Sequence, residues 1–287
     1  MDTDLAHKDM AAAPVAAEPS RPLRVGFIGW AGTENLGNDA CLESIVAFVR
    51  RAFPNADLIS VSPGPELVER MFGVPGVSIA WRPKNILLRI IDKLAFKAPR
   101  GLVDAVLTAR TLNKLDYLIF AGTSLVDDYR TSPTYKPRIF RRWLGAKRRG
   151  VKLIYASVGA DPVRNLLARR LTQPIPRLAT YRSYRDDGSR AYLARIGADD
   201  ADAPVVPDLV WDLPTPPDPP RPAGKPLTIG VGVMAYHGWR SVEAGRDVHD
   251  PYVDSITQFI DWLADEGHRV QLLVGEKSDR RVVAAVT

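Results

Sequence analysis

Four places in this 287-residue chain hold residue types that could bind an anion or move a proton. The first is Asn35-Leu36-Gly37-Asn38-Asp39. A Gly-containing loop at a helix start offers free backbone N–H groups and the positive end of the helix dipole, a ready seat for phosphate or carboxylate. The same residues also suit an ordinary helix start, with Asn38 or Asp39 as the cap and Gly37 making the turn. The second is Gly122-Thr123-Ser124, with Asp127 and Asp128 close behind. Its hydroxyls and amides suit a sugar or a phosphate, and either acid could serve as a general base or orient a hydroxyl. Complementing a helix N-terminus would account for the acids equally well. The third is Arg182, Arg185 and Asp186, with Asp208 downstream. Arginine grips carboxylate and phosphate with two parallel bonds; an Asp-capped helix beside a surface Arg is the plain alternative, and Asp208 could be a simple strand-end cap. The fourth is His237 in Val233-Met234-Ala235-Tyr236-His237-Gly238-Trp239. It could act as acid, base or anion donor, although a packed loop histidine is the commoner case. Arg240 and Arg246 follow in a loop that could close over a ligand. His7, His249 and His268 have no comparable context.

Other chemistries are excluded or disfavoured. No Gly-Lys-Ser/Thr follows the first loop, so it is not a P-loop, and it lacks the Gly-x-Gly-x-x-Gly spacing of a dinucleotide site. No Ser-His-Asp or Cys-His order is convincing. Cys41 is the only cysteine, which forbids an internal disulfide and a Cys-rich metal site, suits a reducing cytoplasm, and reads as a small buried residue on the first helix. The adjacent Asp127 and Asp128 lack a supporting His or spaced acidic cluster, so no metal is expected. The formal charge is +6. That balance suits an anionic substrate, a membrane surface or nucleic acid, but no nucleic-acid-binding signature is present. No run approaches the roughly 18 apolar residues of a membrane span.

Strand and helix patterns must position these residues. Leu23–Gly29, Ala56–Val61, Val77–Ala80, Tyr117–Ala121, Val151–Val158 and Ala179–Ser183 read as strands. Between them lie helices at Asp39–Arg51, Glu66–Phe72, most of Ile86–Leu115, Pro137–Arg149, Val163–Leu171 and Arg190–Ile196. Each candidate site follows a strand, and ligands of open α/β sheets bind outside the carboxyl ends of the strands. Pro137–Arg149 is basic and amphipathic: either a solvated face or a contact with acidic lipid at the inner face of a membrane or with an anionic acceptor. Residues 1–22 read as a disordered leader, 23–213 as one Rossmann-like domain and 214–226 as a Pro-rich linker. Residues 227–287 restart the alternation with strands Leu227–Met234 and Arg269–Val274 around helix Tyr252–Asp265. Two strands are few for an open parallel sheet, so this second domain is expected to be incomplete.

In order and spacing these stretches resemble the polysaccharide pyruvyl transferases. Asn35-Leu36-Gly37-Asn38-Asp39-Ala40 is similar to that family's Asn-x-Gly-Asp-Glu-Ala loop. Ala121-Gly122-Thr123-Ser124-Leu125-Val126-Asp127-Asp128 looks like its Gly-Gly-Gly-Ser-Leu-x-x-Asp segment. Tyr184-Arg185-Asp186-Asp187-Gly188-Ser189, with Leu193, Gly197 and Pro207-Asp208 downstream, is similar to its Arg-Asp-x-x-Ser helix and Pro-Asp strand end. Val233–Trp239 looks like the opening of its second domain. The resemblance implies a GT-B-like fold of two Rossmann-like domains with parallel sheets. It implies transfer of a pyruvyl group from phosphoenolpyruvate to hydroxyls of a saccharide or lipid-linked oligosaccharide acceptor, forming a ketal, with no resident cofactor. Asp127, Asp128 and His237 would be the acid–base groups; Asn35, Gly37, Asn38, Asp39, Gly122, Thr123, Ser124, Arg182, Arg185, Asp208 and Arg240 would bind substrate. The chain departs from the pattern at Asn38-Asp39, at Ala121 and Thr123, and in lacking the family's late Arg/Ser-x-x-His segment before Thr287. A nucleotide-sugar glycosyltransferase of the same architecture and a non-catalytic relative are the alternatives.

Overall fold

The structure, a computed structural model, describes residues 21–78, 85–87, 90, 94, 102–103, 106, 109–126, 143–163, 165–197, 202–217, 224, 226–238 and 244–287. Asp127, Asp128, Arg240, most of the proposed leader and parts of helices 86–115 and 137–149 lie outside these residues, as does part of the Pro-rich stretch.

Apolar alternation builds the first sheet. Its strands are β1 (Arg24–Ile28), β2 (Asp57–Ser62), β3 (Gly76–Ser78), β4 (Tyr117–Ala121), β5 (Ser124–Val126), β6 (Lys152–Ala160) and β7 (Tyr181–Tyr184). All pairings are parallel. β1 lies between β2 and β4, β3 flanks β2, and β6 carries β4 and β5 on one edge and β7 on the other. Ala121 faces Ala156 and Ser124 faces Gly159, a constant separation of 35 residues. β5 is therefore β4 resumed after a break at Gly122-Thr123. The spatial order is that of a doubly wound sheet, with its switch point between β1 and β4.

Both faces of the sheet are covered, as a parallel sheet requires. Period-2 alternation divides β4: Leu118 and Phe120 join one core, Ile119 and Ala121 the other. The first core gathers Phe120, Trp143, Tyr155 and Leu193; the second packs Val25 and Phe27 under Leu42, Ile45, Val46 and Val49 of α1 (Leu36–Ala52). Three short helices follow as α2 (Pro65–Phe72), α3 (Leu166–Thr172) and α4 (Asp187–Arg195). α4 starts three residues before the expected Arg190, because Asp186 caps it by accepting from the Ser189 amide at 2.6 Å. Residues 143–148 are helical, and Lys147 donates to the Leu178 carbonyl, so one cation of the basic helix is committed inward.

A second parallel sheet pairs β8 (Thr228–Val233) with β9 (Arg269–Val274). α5 (Arg246–Asp265) joins them and α6 (Arg280–Val286) follows. α5 begins six residues before the expected Tyr252, with Pro251 inside the helix. The fixed φ of proline is helical, and Pro251 withholds one backbone donor from the helix ladder. The chain is thus α/β with two parallel sheets, and its fold is GT-B-like.

Candidate functional site at the strand ends

The switch point opens a small crevice. Gly29, Trp30, Asn38, Ser60, Ser62 and Thr123 line it, from the ends of β1, β2 and β4 and the start of α1. Ser62 and Thr123 are 2% and 6% exposed, and their hydroxyl oxygens have no hydrogen-bond partner among the described residues. A buried hydroxyl without a partner is costly. These two mark where a ligand's polar atoms would be satisfied.

Beside the crevice runs a charged chain of contacts. Arg185 lies across the backbone at the end of β6: a Cβ on Gly159 would stand 2.7 Å from its guanidinium, which would have to shift to make room. The guanidinium approaches Asp186 at 3.4 Å and Asp208 at 3.9 Å. Asp208 accepts from the Cys41 thiol at 3.1 Å, and Ser124 donates to Asp161 at 3.1 Å. Gly122, with φ at +65°, packs directly on Cys41, whose sulfur a Cβ there would meet at 2.4 Å.

A bulge in β6 sets this geometry. Tyr155 pairs with Arg182 and Val158 with Tyr184, so β6 holds one extra residue. Within it Ser157 takes φ of +49°, in the left-handed region that favours glycine. The Ser157 hydroxyl donates to the carbonyls of Val206 and Pro207 at 2.9 and 2.8 Å, and its amide donates to the Ser183 hydroxyl. Those bonds fix the strand end that delivers Asp208. The Ser189 hydroxyl accepts from the Ala160 amide, which ties α4 to the same end of β6.

Not every expected residue joins this cluster. Asn35, rather than Asn38 or Asp39, caps α1, accepting from the Asn38 amide at 3.1 Å. Asp39 is buried and accepts from the Gly32 amide at 2.7 Å, so it staples the β1–α1 turn. Burial raises its carboxyl above the ordinary value, and the Gly32 bond opposes that rise. Gly37 is exposed, while Asn38 reaches the crevice. Arg182 lies within β7 opposite Tyr155, whose phenol burial pushes up and the Arg182 charge draws partly back. His237 is 6% exposed, with its ring 4.2 Å from that of His249. It is a packed loop residue, and His249, which had no evident context in the sequence, is its neighbour.

The β1–α1 turn is braced by the second sheet, which the sequence did not suggest. Asn35 donates to Glu276 at 3.1 Å, the Leu36 amide donates to the Gly275 carbonyl at 2.9 Å, and Lys277 and Arg280 both reach Glu34. The Lys277 hydrogen bond holds the Glu34 carboxyl below its usual range. Asp279 is buried and accepts from the Ala235 and Glu276 amides, joining the ends of β8 and β9. The signal was available: Gly275-Glu276 follows a strand, like the other candidates.

The thiol is buried, and its surroundings favour the protonated form. Burial, and then Asp208, push Cys41 up to about 12. Iodoacetamide at pH 8 is expected to leave Cys41 unmodified in the native protein and to alkylate it in urea, read by intact mass, because the thiolate is the reacting form. Rapid native alkylation would mean that the Asp208 contact is not made.

No group of three or more His, Cys, Asp or Glu among the described residues is placed to hold a metal ion. None of the described helices is long and apolar enough to cross a membrane.

Known structures with this arrangement are distant in sequence. A candidate UDP-N-acetylglucosamine 2-epimerase from Listeria monocytogenes superposes with a TM-score of 0.50 at 12% identity, over 92% of this chain and 66% of that one. The S. aureus MnaA–UDP structure gives 0.50 at 12% identity, over 92% and 64%. A glycosyltransferase from Rickettsia africae ESF-5 gives 0.48 at 11% identity, over 93% and 71%. The chain thus spans just under two thirds of the first two proteins. At these identities the likeness is one of fold. Among curated proteins none matches the chain. The sequence model of the polysaccharide pyruvyl transferases, however, matches residues 35–282, from the α1 cap through the strand-end contacts of Arg185 and Asp208 to the start of α6, and the chain belongs to that family.

Proposed function

We propose that this chain transfers a pyruvyl group from phosphoenolpyruvate to a sugar hydroxyl pair, forming a ketal in cell-surface polysaccharide biosynthesis. The observation that carries the reading is Arg185, a guanidinium laid over Gly159 at the end of β6, where the Gly159 amide meets the carbonyl of Thr123, whose buried hydroxyl lacks a partner among the described residues. A donor bearing both phosphate and carboxylate suits such a fork. In the reaction one acceptor hydroxyl adds to the carbon that carries the enol phosphate while the methylene carbon gains a proton. The second hydroxyl then displaces phosphate and closes the ketal. Asp127 or Asp128 would take the hydroxyl proton, His237 would serve as acid, and Arg185 with Thr123 and Ser124 would hold the donor. Arg182, Arg240 and Asp208 would complete the anion and acceptor contacts. The acceptor would be a saccharide or lipid-linked oligosaccharide met in the cytoplasm, at the inner face of the membrane.

The test is calorimetry of the chain with phosphoenolpyruvate, with UDP-glucose as the control. Saturable binding of phosphoenolpyruvate at least about tenfold tighter than that of UDP-glucose is the expected outcome. The reverse preference would turn the reading to nucleotide-sugar transfer. Binding of neither would sink the proposal that these strand ends hold the donor.

A further inference from the structure

We propose that a second ligand site lies at the amino end of the first sheet, opposite the crevice, and that it takes an amphipathic phosphate monoester. Arg24 and Asp57 are the first residues of β1 and β2 and pair in register, so they mark that end. A cavity of about 650 Å³ opens beside them. Sites for small organic ligands fall in the range of about 300–1,000 Å³.

Its walls separate charge from apolar surface. Leu58, Ile59 and Leu115 form the apolar side, and β2 is only half buried at Leu58 and Ile59 while its last three residues are fully covered. Four cations line the cavity against one acid, Asp57. Two of them are committed. Arg24 faces Asp57 at 3.6 Å, and Arg50 donates to the carbonyls of Phe72 and Gly73 at 2.8 and 3.3 Å. The side chains of the other two, Arg110 and Lys114, make no hydrogen bond or ion pair with any described residue, although the Lys114 amide donates to the Thr111 carbonyl. Arg110 stands in the last turn of a helix and Lys114 in the turn that follows it, so two like charges line one cavity and repel. A dianionic phosphate relieves that repulsion and accepts from both, and a hydrocarbon or ring beyond the ester oxygen covers Leu58, Ile59 and Leu115. A free organic phosphate and phosphatidic acid in a membrane share this chemistry.

Octyl phosphate, used below its micellar concentration, tests the site by calorimetry on the full chain. Inorganic phosphate and octyl glucoside supply the two halves of the probe separately. Octyl phosphate is expected to bind with one-to-one stoichiometry, at least about tenfold more tightly than either half. The double variant Arg110→Gln, Lys114→Gln is expected to lose at least about tenfold in octyl phosphate affinity. Both side chains are exposed, so its far-UV circular dichroism and urea midpoint should match the wild type. Sedimentation with phosphatidylcholine vesicles containing phosphatidic acid separates the sources. Sedimentation that the double variant abolishes assigns the lipid; octyl phosphate binding without sedimentation assigns a free organic phosphate. Equal binding of octyl phosphate to wild type and double variant, or binding no tighter than that of its halves, overturns the proposal. Phosphoenolpyruvate affinity should be unchanged in the double variant, so this site and the strand-end reading fail or stand separately.

Discussion

Replacing Arg185 with alanine is expected to weaken phosphoenolpyruvate binding by at least about 100-fold while leaving the fold intact. A hydrogen bond to a charged group contributes about 1.5–3 kcal/mol, and a guanidinium can make two at once. Each 1.4 kcal/mol is about tenfold in affinity. The side chain is 35% exposed and its contacts to Asp186 and Asp208 are long, so its removal costs the fold little. Arg185→Lys should fall between, because lysine keeps the charge but not the planar fork. Calorimetry with a urea melt on each variant separates binding from folding. An affinity within about threefold of wild type for Arg185→Ala would reduce Arg185 to a surface residue.

Gly64→Ala is expected to destabilise the protein by about 3 kcal/mol, among the larger effects of a single substitution. The turns after β1 and β2 cross with glycine on glycine. A Cβ on Gly64 would lie 1.9 Å from the Gly32 carbonyl oxygen, and one on Gly32 would lie 2.2 Å from that of Gly64. The obstacles are backbone, which cannot swing aside like a side chain. Gly32 also holds φ of +74° and donates its amide to Asp39, so relief at this crossing moves the crevice lining. Gly29→Ala is the control, since a Cβ there meets nothing within 4 Å and should cost less than about 1 kcal/mol. Equal urea midpoints for the two variants would mean that the turns do not touch.

The fold was largely legible because its signals are local. Strands such as Val25–Ile28 and Leu118–Ala121 are apolar runs bounded by turn residues, and Asp186 announces α4 three residues ahead of Ser189. The grouping of the candidate site was legible at Arg185 and Asp208, because both follow strands. What sequence could not show depends on non-local contacts. Ser157 takes a left-handed φ because carbonyls about 50 residues away accept from it, and nothing around it in the chain asks for that. His237 stacks its ring on that of His249 in the first turn of α5, a pairing that neither histidine's neighbours in the chain announce. Asp39, by type a helix cap or a ligand group, accepts from the Gly32 amide, a partner seven residues back that its type alone does not name. Polar residues at strand ends satisfy either a ligand or the backbone, and composition does not decide between them.

The brace between Glu34–Leu36 and Gly275–Arg280 has a consequence for biogenesis. Its side-chain partners lie 241 to 246 residues apart. Chains are made from the amino terminus at about 5–20 residues per second, and long-range pairings wait for both partners. The turn that opens the first sheet is therefore among the earliest segments synthesised and among the latest completed. A nascent chain halted before Gly275 would carry a first sheet whose opening turn has no outer support, and protease sensitivity at Thr33–Leu36 would date the arrival of the second sheet during translation.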